Sequence, residues 1–149
     1  MFKMIAGISI FLLLAGCTLT ASQETALNRQ TNLYLKALNE GAVLYAVSRT
    51  HPCYVSYAKE KGDAFFTRTF APAKISEYGY TSPSVEKIEK KKGHIHVQFS
   101  IVSYTYYGTA EGEKDQLIAI SEDEGKTWFF MPFSIYKNKQ VCRDLLRIL

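Results

Sequence analysis

The sequence lacks several features that would point directly to an architecture or a partner. It has no internal repeat, no low-complexity run and, after residue 16, no hydrophobic segment that approaches membrane-spanning length. It also lacks a strong charge imbalance, because its formal net charge is only +4. The cations are spread along the chain except for Lys87 and residues 90–92, so we do not expect nucleic acid as a partner.

Cysteine is scarce, and the first of the three cysteines lies in a segment that resembles a bacterial lipoprotein signal. Lys3 supplies a minimal basic segment, and the apolar residues 5–14 are too few to span a bilayer as a mature helix. Residues 14–17, with the sequence LAGC, resemble a lipobox, whose small residues fit the signal peptidase and whose cysteine carries the lipid. We therefore predict lipidation of Cys17. The alternative is an ordinary signal peptide with a chance cysteine.

The lipobox divides the chain into a signal peptide at residues 1–16, a lipidated tether at residues 17–24 and one domain at residues 25–149. Removing the signal peptide leaves 133 residues and lowers the formal net charge from +4 to +3, because only Lys3 is lost. That length suits a single hydrophobic core. Two or three acyl chains would form a stable anchor. Because Thr18 replaces the aspartate typical of inner-membrane retention, we expect the bacterial cell envelope, at the periplasmic face of the outer membrane.

The other two cysteines, Cys53 and Cys142, predict a disulfide, since the envelope is an oxidising compartment. Closing a loop of about 90 residues would contribute about 4–5 kcal/mol in the chain-entropy model, before strain is subtracted. Two separate buried thiols are the alternative, because the sequence does not show that the two Cα atoms approach. A catalytic Cys53 beside His51 is a weaker hypothesis, since no third residue is indicated that would orient the pair.

Residues 115–135 predict a β-hairpin at the centre of an antiparallel sheet, because two apolar runs flank a polar loop that contains a glycine. The loop sequence SEDEGKTW, residues 121–128, matches the S-x-D-x-G-x-T-W pattern of an Asp box, a turn that recurs on sialidase propeller blades. In such a turn Asp123 would accept backbone hydrogen bonds, Gly125 would supply a positive φ and Trp128 would cover the apolar side. A propeller needs several copies, so one box predicts a turn and not a glycosidase.

Helices are expected to precede the strands. Apolar residues at helical spacing favour an amphipathic helix over residues 25–39, with Gly41 at its C-cap, and a short helix over residues 42–48. A third helix is expected over residues 64–70, with Asp63 as its N-cap.

The remaining segments favour strands and turns. The pair His51-Pro52 is expected to stop helical structure, and residues 53–58 to form a short strand or an irregular wall. A shift in the apolar alternation predicts a bulge near residues 100–103. Further strands are expected over residues 75–80, 84–91 and 94–107, with a tight turn at residues 92–93.

Two stretches carry a resemblance to a known family. Residues 33–70, LYLKALNEGAVLYAVSRTHPCYVSYAKEKGDAFFTRTF, are similar to the opening of bacterial secreted members of the nuclear transport factor 2-like superfamily. Residues 115–131, DQLIAISEDEGKTWFFM, are similar to the paired strands that close the same domains. The resemblance implies an α+β fold in which N-terminal helices pack on a strongly curved antiparallel sheet of about four to six strands, a cone with a cavity at its open end. It also implies a homodimer as one candidate assembly.

The superfamily contains isomerases, dehydratases and cyclases as well as proteins without catalysis, so the fold alone does not decide the function. We favour a module that is not an enzyme and binds a small apolar or aromatic ligand with Tyr34, Tyr45, His51 and Tyr57. The structural alternative is a turn histidine that caps the backbone, with tyrosines that serve half-buried strands. The enzymatic alternative is an isomerase or lyase that uses His51 and a cavity carboxylate, for which Glu77 is the nearest candidate.

No metal or other cofactor is predicted. His94 and His96 share one face of a strand, but zinc would need further ligands at a matching spacing. Because Ile95 and Val97 occupy the opposite face, we expect the two histidines to face solvent. The carboxylates of residues 122–124 lack the full EF-hand pattern. An envelope protein partner is the remaining hypothesis, and a flat exposed aromatic patch in place of a cavity would favour it.

Overall fold

The computed structural model describes residues 18–71, 78–105 and 113–143, so the predicted lipidation site at Cys17 and the carboxylate of Glu77 lie outside the described residues. Helices come first and strands come after them. The elements are α1 (Ala21–Glu40), α2 (Val43–Arg49), α3 (Pro52–Glu60), α4 (Asp63–Phe70), β1 (Tyr78–Lys91), β2 (His94–Thr105), β3 (Glu113–Ser121), β4 (Phe129–Pro132) and a short α5 (Phe133–Tyr136). This order confirms an α+β class, with helices followed by an antiparallel sheet of four strands that does not close.

Helix α1 begins at Ala21, earlier than the amphipathic pattern indicates, because a capping box fixes its start. The Thr20 hydroxyl accepts a hydrogen bond from the Gln23 backbone N–H at 3.3 Å, and the Gln23 side-chain oxygen accepts one from the Thr20 N–H at 3.0 Å. The helix ends at Gly41, whose φ of 68° is the predicted left-handed C-cap. The predicted apolar stripe is buried, and its members are Leu27, Thr31, Tyr34, Leu35 and Leu38.

The expectation of a strand or irregular wall at residues 53–58 is wrong, because these residues lie in α3. Pro52 occupies the first turn of that helix, where its missing N–H costs nothing and its fixed φ favours the helix. The His51 ring nitrogen Nδ1 accepts a hydrogen bond from the Cys53 backbone N–H at 3.3 Å and so acts as the N-cap. The His51-Pro52 pair therefore starts a helix where the sequence pattern predicted a stop.

The other predicted helices are confirmed with small shifts of their ends. Helix α2 covers Val43–Arg49, and α4 covers Asp63–Phe70. The N-cap of α4 is Gly62, with φ 93°, and not Asp63, which lies in the first turn. An aspartate there still interacts favourably with the helix dipole.

The sheet has the strand order β1-β2-β3-β4, with every neighbouring pair antiparallel. The predicted turn between the first two strands is confirmed, and both Lys92 and Gly93 have positive φ, at 50° and 83°. The hairpin of β3 and β4 is also confirmed, but it lies at one side of the sheet and not at its centre. The centre is the long β2–β3 pair.

The predicted bulge in residues 100–103 is not present on β2, whose register with β3 is continuous from Ile95 to Ser103. The irregularities lie on the partner strand instead, between Thr81 and Ser84 and between Val85 and Lys87. The extra residues therefore lie in β1 and not in β2. The apolar pattern of β2 alone does not reveal which of two paired strands carries the bulge.

Side chains and backbone from the helical region cover parts of both outer strands. Thr50 forms a parallel bridge with Phe130, and the His51 N–H donates to the Phe130 carbonyl at 2.9 Å, so the chain entering α3 lies along β4. At the opposite side Asn39 of α1 pairs with the backbone of Tyr80, accepting from its N–H at 2.7 Å and donating to its carbonyl at 2.8 Å. Such pairing limits the open backbone edges that favour aggregation.

The sheet buries side chains on both faces. One face packs against α1 and neighbouring helices in a core that includes Val97, Phe99, Ala119, Trp128 and Phe130. The other face packs against α3, α5 and the segment after α5, through Tyr54, Ile118, Ile120, Met131, Tyr136 and Cys142. The predicted disulfide between Cys53 and Cys142 is present in this second cluster, with the two Cα atoms 5.7 Å apart. It closes the chain across 89 positions of sequence.

Within the part of the chain that the structure describes, no helix has the length and apolarity needed to span a bilayer.

Candidate functional site

The Asp-box loop between β3 and β4 has the hydrogen bonds that its sequence predicts. Asp123 Oδ1 accepts from the backbone N–H groups of Lys126, at 3.2 Å, and Thr127, at 2.8 Å, and from the Ser121 hydroxyl at 2.8 Å. Burial opposes ionisation of Asp123, but the hydrogen bonds from Thr127 and Ser121 outweigh it, so the pKa of this carboxyl is below its usual value. The loop is therefore held in one conformation by an ionised side chain.

Gly125 and Trp128 complete this loop. Gly125 has φ 84°, as predicted, and its N–H donates to the Ser121 hydroxyl at 2.8 Å. Trp128 is fully buried, and its indole N–H donates to the Gly125 carbonyl at 3.0 Å. The single box is thus a structural turn whose tryptophan contributes to the main core.

Two glutamines of α1 join the Asp-box loop to the helix. The Gln30 side chain donates to the Lys126 carbonyl and accepts from the Trp128 N–H, both at 2.9 Å. The Gln23 side chain donates to the Glu124 carbonyl at 2.9 Å. A Cβ at Gly125 would lie 2.7 Å from Gln23 Cγ, so the loop and the helix approach as closely as glycine allows. The start of α1 and this loop form one packed end of the domain.

The turn between β1 and β2 packs against the same end. The Gly93 carbonyl accepts a hydrogen bond from the Glu124 N–H at 3.0 Å. Together the start of α1, this turn and the Asp-box loop surround an open cleft of about 700 Å³. We call it the basic cleft, because four lysines and only one glutamate are among its lining residues: Lys90, Lys91, Lys92, Lys126 and Glu124.

Sequence reasoning missed the basic cleft and the glutamines that support it. The signal for the first glutamine was present, since Thr20 and Gln23 have the spacing of a capping box just before an apolar helical pattern. Gln30 carries no comparable signal. Its partners are 96 and 98 positions away, so only the tertiary structure reveals its role.

His51 is close to the disulfide and to one carboxylate of the Asp-box loop. Its Nδ1 lies 3.0 Å from Cys53 Sγ, and its Nε2 lies 3.9 Å from Glu122 Oε1. Burial lowers the pKa of His51, and the nearby Glu122 opposes that effect only in part. Because Nδ1 accepts the Cys53 N–H, neutral His51 carries its proton on Nε2. In this tautomer the Nδ1 lone pair is used by the N-cap hydrogen bond of α3.

The residues predicted to bind a ligand do not converge on one cavity. Tyr34 lines a cavity of about 100 Å³ between α1 and the sheet, whereas Tyr45, His51 and Tyr57 do not line it. The Tyr34 hydroxyl is hydrogen-bonded to Thr50 Oγ1 at 3.2 Å. Burial raises its pKa to about 12, so it stays protonated at neutral pH.

The other two tyrosines have local partners on the helices. The Arg49 guanidinium lies 5.8 Å from the centre of the Tyr45 ring. The Tyr57 ring packs against Tyr54, with centroids 6.3 Å apart, and the Lys61 amine lies 5.2 Å from its centre. These contacts are what half-buried aromatic side chains make on a helix surface.

The expectation that His94 and His96 face solvent is wrong. His96 is 1% exposed and its Nδ1 lies 2.9 Å from the Tyr136 hydroxyl oxygen. Burial is the main reason why the pKa of His96 is lowered to about 4. His94 is half-buried and lines the basic cleft. His96 is buried because α5 and the segment fixed by the disulfide cover the second face of the sheet. The pattern of a single strand cannot show this cover.

The described residues contain no group of three or more His, Cys, Asp or Glu side chains arranged to hold a metal ion. Comparison of the chain with protein-family models, curated proteins and solved structures finds no match. The family resemblance of the sequence therefore stays a prediction, and the function has to be inferred from the chain's own geometry.

Proposed function

We propose that this protein is a bacterial envelope lipoprotein, anchored through lipid on Cys17, that acts by binding a protein partner and not by catalysis. One observation carries the proposal: the N-cap of α1, Thr20, is three residues after the expected anchor, in a capping box that is packed against the rest of the domain. A lipid on Cys17 would thus hold this end of the domain at the membrane, with the remaining surface directed to the periplasm.

The N-cap position of His51 supports a non-catalytic role. Its Nδ1 is occupied by the helix N-terminus, and the neighbouring Glu122 side chain is 55% exposed, which is unlike the buried carboxylate that an isomerase or lyase mechanism needs. These two groups form a surface pair beside a disulfide. The pair contributes to the start of α3 and offers no enclosed site for proton transfer.

The small volume of the inner cavity argues against an apolar ligand held inside the fold. Among the described residues the cavity at Tyr34 holds about 100 Å³, whereas pockets for small molecules usually hold about 300–1,000 Å³. Tyr34, which lines this cavity, also stacks on Phe130 with ring centroids 4.7 Å apart, so its ring is held by packing in the core. Leu44, which is 89% exposed, shows that α2 presents apolar surface to the outside.

The finer assignment to the nuclear transport factor 2-like superfamily is part of the same proposal. It is supported by the order of helices followed by an antiparallel sheet, with a helix packed across one face. A homodimer is proposed because of the family resemblance of the sequence. An outer-membrane location is proposed because Thr18 replaces the aspartate typical of inner-membrane retention.

Mass spectrometry of the protein purified from envelopes tests the proposal. The N-terminal peptide is expected to begin at Cys17 and to carry acyl mass, which Cys17→Ser should abolish. Native spectra of the intact protein should show no small bound molecule after desalting. An unmodified N-terminus at another residue would refute the anchor, and a retained small molecule would refute the protein-binding role.

A further inference from the structure

The segment between the expected anchor at Cys17 and the folded domain is very short. The Lys90 amine of β1 donates to the Thr18 carbonyl and, at 3.2 Å, to the Gln23 side-chain oxygen. Thr18 comes directly after Cys17, and consecutive Cα atoms are about 3.8 Å apart. The attachment point is therefore within one residue of a backbone group that the sheet holds. The predicted tether of residues 17–24 does not act as a flexible spacer, because residues 21–24 belong to α1.

Four lysines are grouped beside this attachment point. Lys90, Lys91 and Lys92 are at the end of β1 and in its turn, and Lys126 belongs to the Asp-box loop; all line the basic cleft, as does Thr20. We call these four lysines the basic patch. Their backbones are fixed relative to one another, because the Gly93 carbonyl accepts a hydrogen bond from the loop at Glu124.

The residues that line the basic cleft carry more positive than negative charge. Among the described residues that line the cleft, Glu124 is the one carboxylate beside four lysines. The partners of the Lys90 amine are a carbonyl and an amide oxygen, both neutral, so its charge is solvated by dipoles. A concentrated positive charge of this kind attracts a counter-charge from outside the domain.

We propose that the basic patch docks on the anionic phospholipid surface to which the lipid on Cys17 attaches the protein, and so fixes the orientation of the domain. This inference rests on the proposed function, since it needs the anchor. The two features act together, because a lipid near Thr18 brings the patch within a Debye length of the headgroups, about 8–10 Å at physiological salt. Lysines at that distance from an anionic leaflet are attracted to it.

Lysine footprinting on vesicles tests this docking. The acylated full chain is placed in vesicles of phosphatidylcholine alone and in vesicles with about one quarter phosphatidylglycerol, and amine acetylation is measured peptide by peptide. The basic patch should be acetylated about fivefold more slowly on the anionic vesicles, and the difference should disappear in high salt. Lys59 and Lys139, which do not line the cleft, should be acetylated equally on both vesicles.

A charge variant separates attraction from mere proximity. In the triple variant K90Q/K92N/K126Q, Lys91 remains as the reporter, and asparagine suits the positive φ of position 92. Protection of Lys91 on anionic vesicles should fall to the level on neutral vesicles. The matched control K36Q/K59Q/K139Q removes the same charge elsewhere and should keep the protection. Circular dichroism and the thermal midpoint check that both variants fold.

Each outcome decides the proposal. Protection that needs both the anionic lipid and the other lysines of the basic patch supports it. Equal protection on both vesicles, or unchanged protection of Lys91 in the triple variant, overturns it, because tethering alone would then explain the shielding. No protection at all also overturns it. The acyl mass of the N-terminal peptide, measured in the same samples, shows separately whether the anchor itself is present.

Discussion

The Gln30 side chain accepts a hydrogen bond from the backbone N–H of Trp128, 98 positions later in the sequence. Its amide group also donates to the Lys126 carbonyl, so one side chain satisfies two backbone groups of the Asp-box loop. Gln30 is 6% exposed, and a buried polar side chain is stable only when it is paired in this way. Through Gln30, helix α1 stabilises the Asp-box loop of the β3–β4 hairpin.

Gln30→Ala is expected to lower the free energy of unfolding by about 2–4 kcal/mol, because it leaves the Trp128 N–H and the Lys126 carbonyl without partners in a buried place. Urea unfolding monitored by Trp128 fluorescence measures it. The control is Asn32→Ala, an exposed position on the same helix, for which a change below about 0.5 kcal/mol is expected. Equal effects of the two substitutions would contradict the role of Gln30.

Gly125→Ala and Gly62→Ala form a matched pair. Both glycines have positive φ, at 84° and 93°, and Gly62 also has ψ 169°, so both substitutions impose backbone strain of about 1–3 kcal/mol. At Gly62 a new Cβ meets nothing within 4 Å, whereas at Gly125 it lies 2.7 Å from Gln23 Cγ. The overlap with Gln23 should therefore add about 1–2 kcal/mol to the backbone strain in Gly125→Ala, and no such addition is expected in Gly62→Ala. Gln23→Ala in the same chain should remove part of that addition, and a failure to do so would place the strain elsewhere.

Loss of the Cys53–Cys142 disulfide should lower the free energy of unfolding by about 2–5 kcal/mol, because the unfolded chain regains the freedom of an 89-residue loop. The double variant C53A/C142A and reduced wild type should unfold at similar urea concentrations. Adding reductant to the double variant provides the control and should change nothing. If reduction left the wild-type midpoint unchanged, the bridge would be absent from the protein in solution.

Stability should fall between pH 6.5 and pH 4 because of His96. In the folded protein burial lowers its pKa to about 4, against 6.5 for the ordinary side chain, so the unfolded chain binds the proton first as the pH falls. The contribution is fully present above pH 6.5 and lost towards pH 4, with an amplitude of about 3 kcal/mol. The pKa of His51 is lowered too, which adds a loss of the same sign.

His96→Gln isolates that contribution. Unfolding free energies at several pH values should show a shallower acid slope for this variant than for wild type, even if its stability at neutral pH is lower. The charged and polar groups that act on His96 are Glu89, His94, His51 and Tyr136, of which Glu89 favours protonation and so limits the amplitude. An unchanged slope in His96→Gln would assign the acid sensitivity to other groups.

Local sequence patterns predicted the elements whose causes are local. The stripe of α1, the C-cap at Gly41 and the turn at residues 92–93 all depend on residues a few positions apart. For the same reason the sequence predicted that Asp123 accepts hydrogen bonds from backbone N–H groups of its own loop. The disulfide was predicted by counting cysteines and from the expectation of an oxidising compartment.

The errors arose where distant segments decide the outcome. A proline can end one helix or begin the next, depending on its neighbours on both sides. Pro52 begins α3, because His51 before it caps the helix and the residues after it are helical. His96 is buried because α5 covers its face, and α5 is held there by packing and by the disulfide. The basic cleft joins residues 20, 90–92 and 126, and no single window of sequence contains all three.

The disulfide also determines how the domain would respond to mechanical force. Its covalent loop, from Cys53 to Cys142, encloses α3, α4, the whole sheet and α5, while α1 and α2 precede it. A pull on the N-terminal end is therefore resisted first by noncovalent contacts of the first helices, above all those of Gln23 and Gln30, while the backbone joins these helices covalently to Cys53. Under load α1 should peel away first and leave the cross-linked remainder folded, so the protein would lengthen while its backbone still joins the two parts.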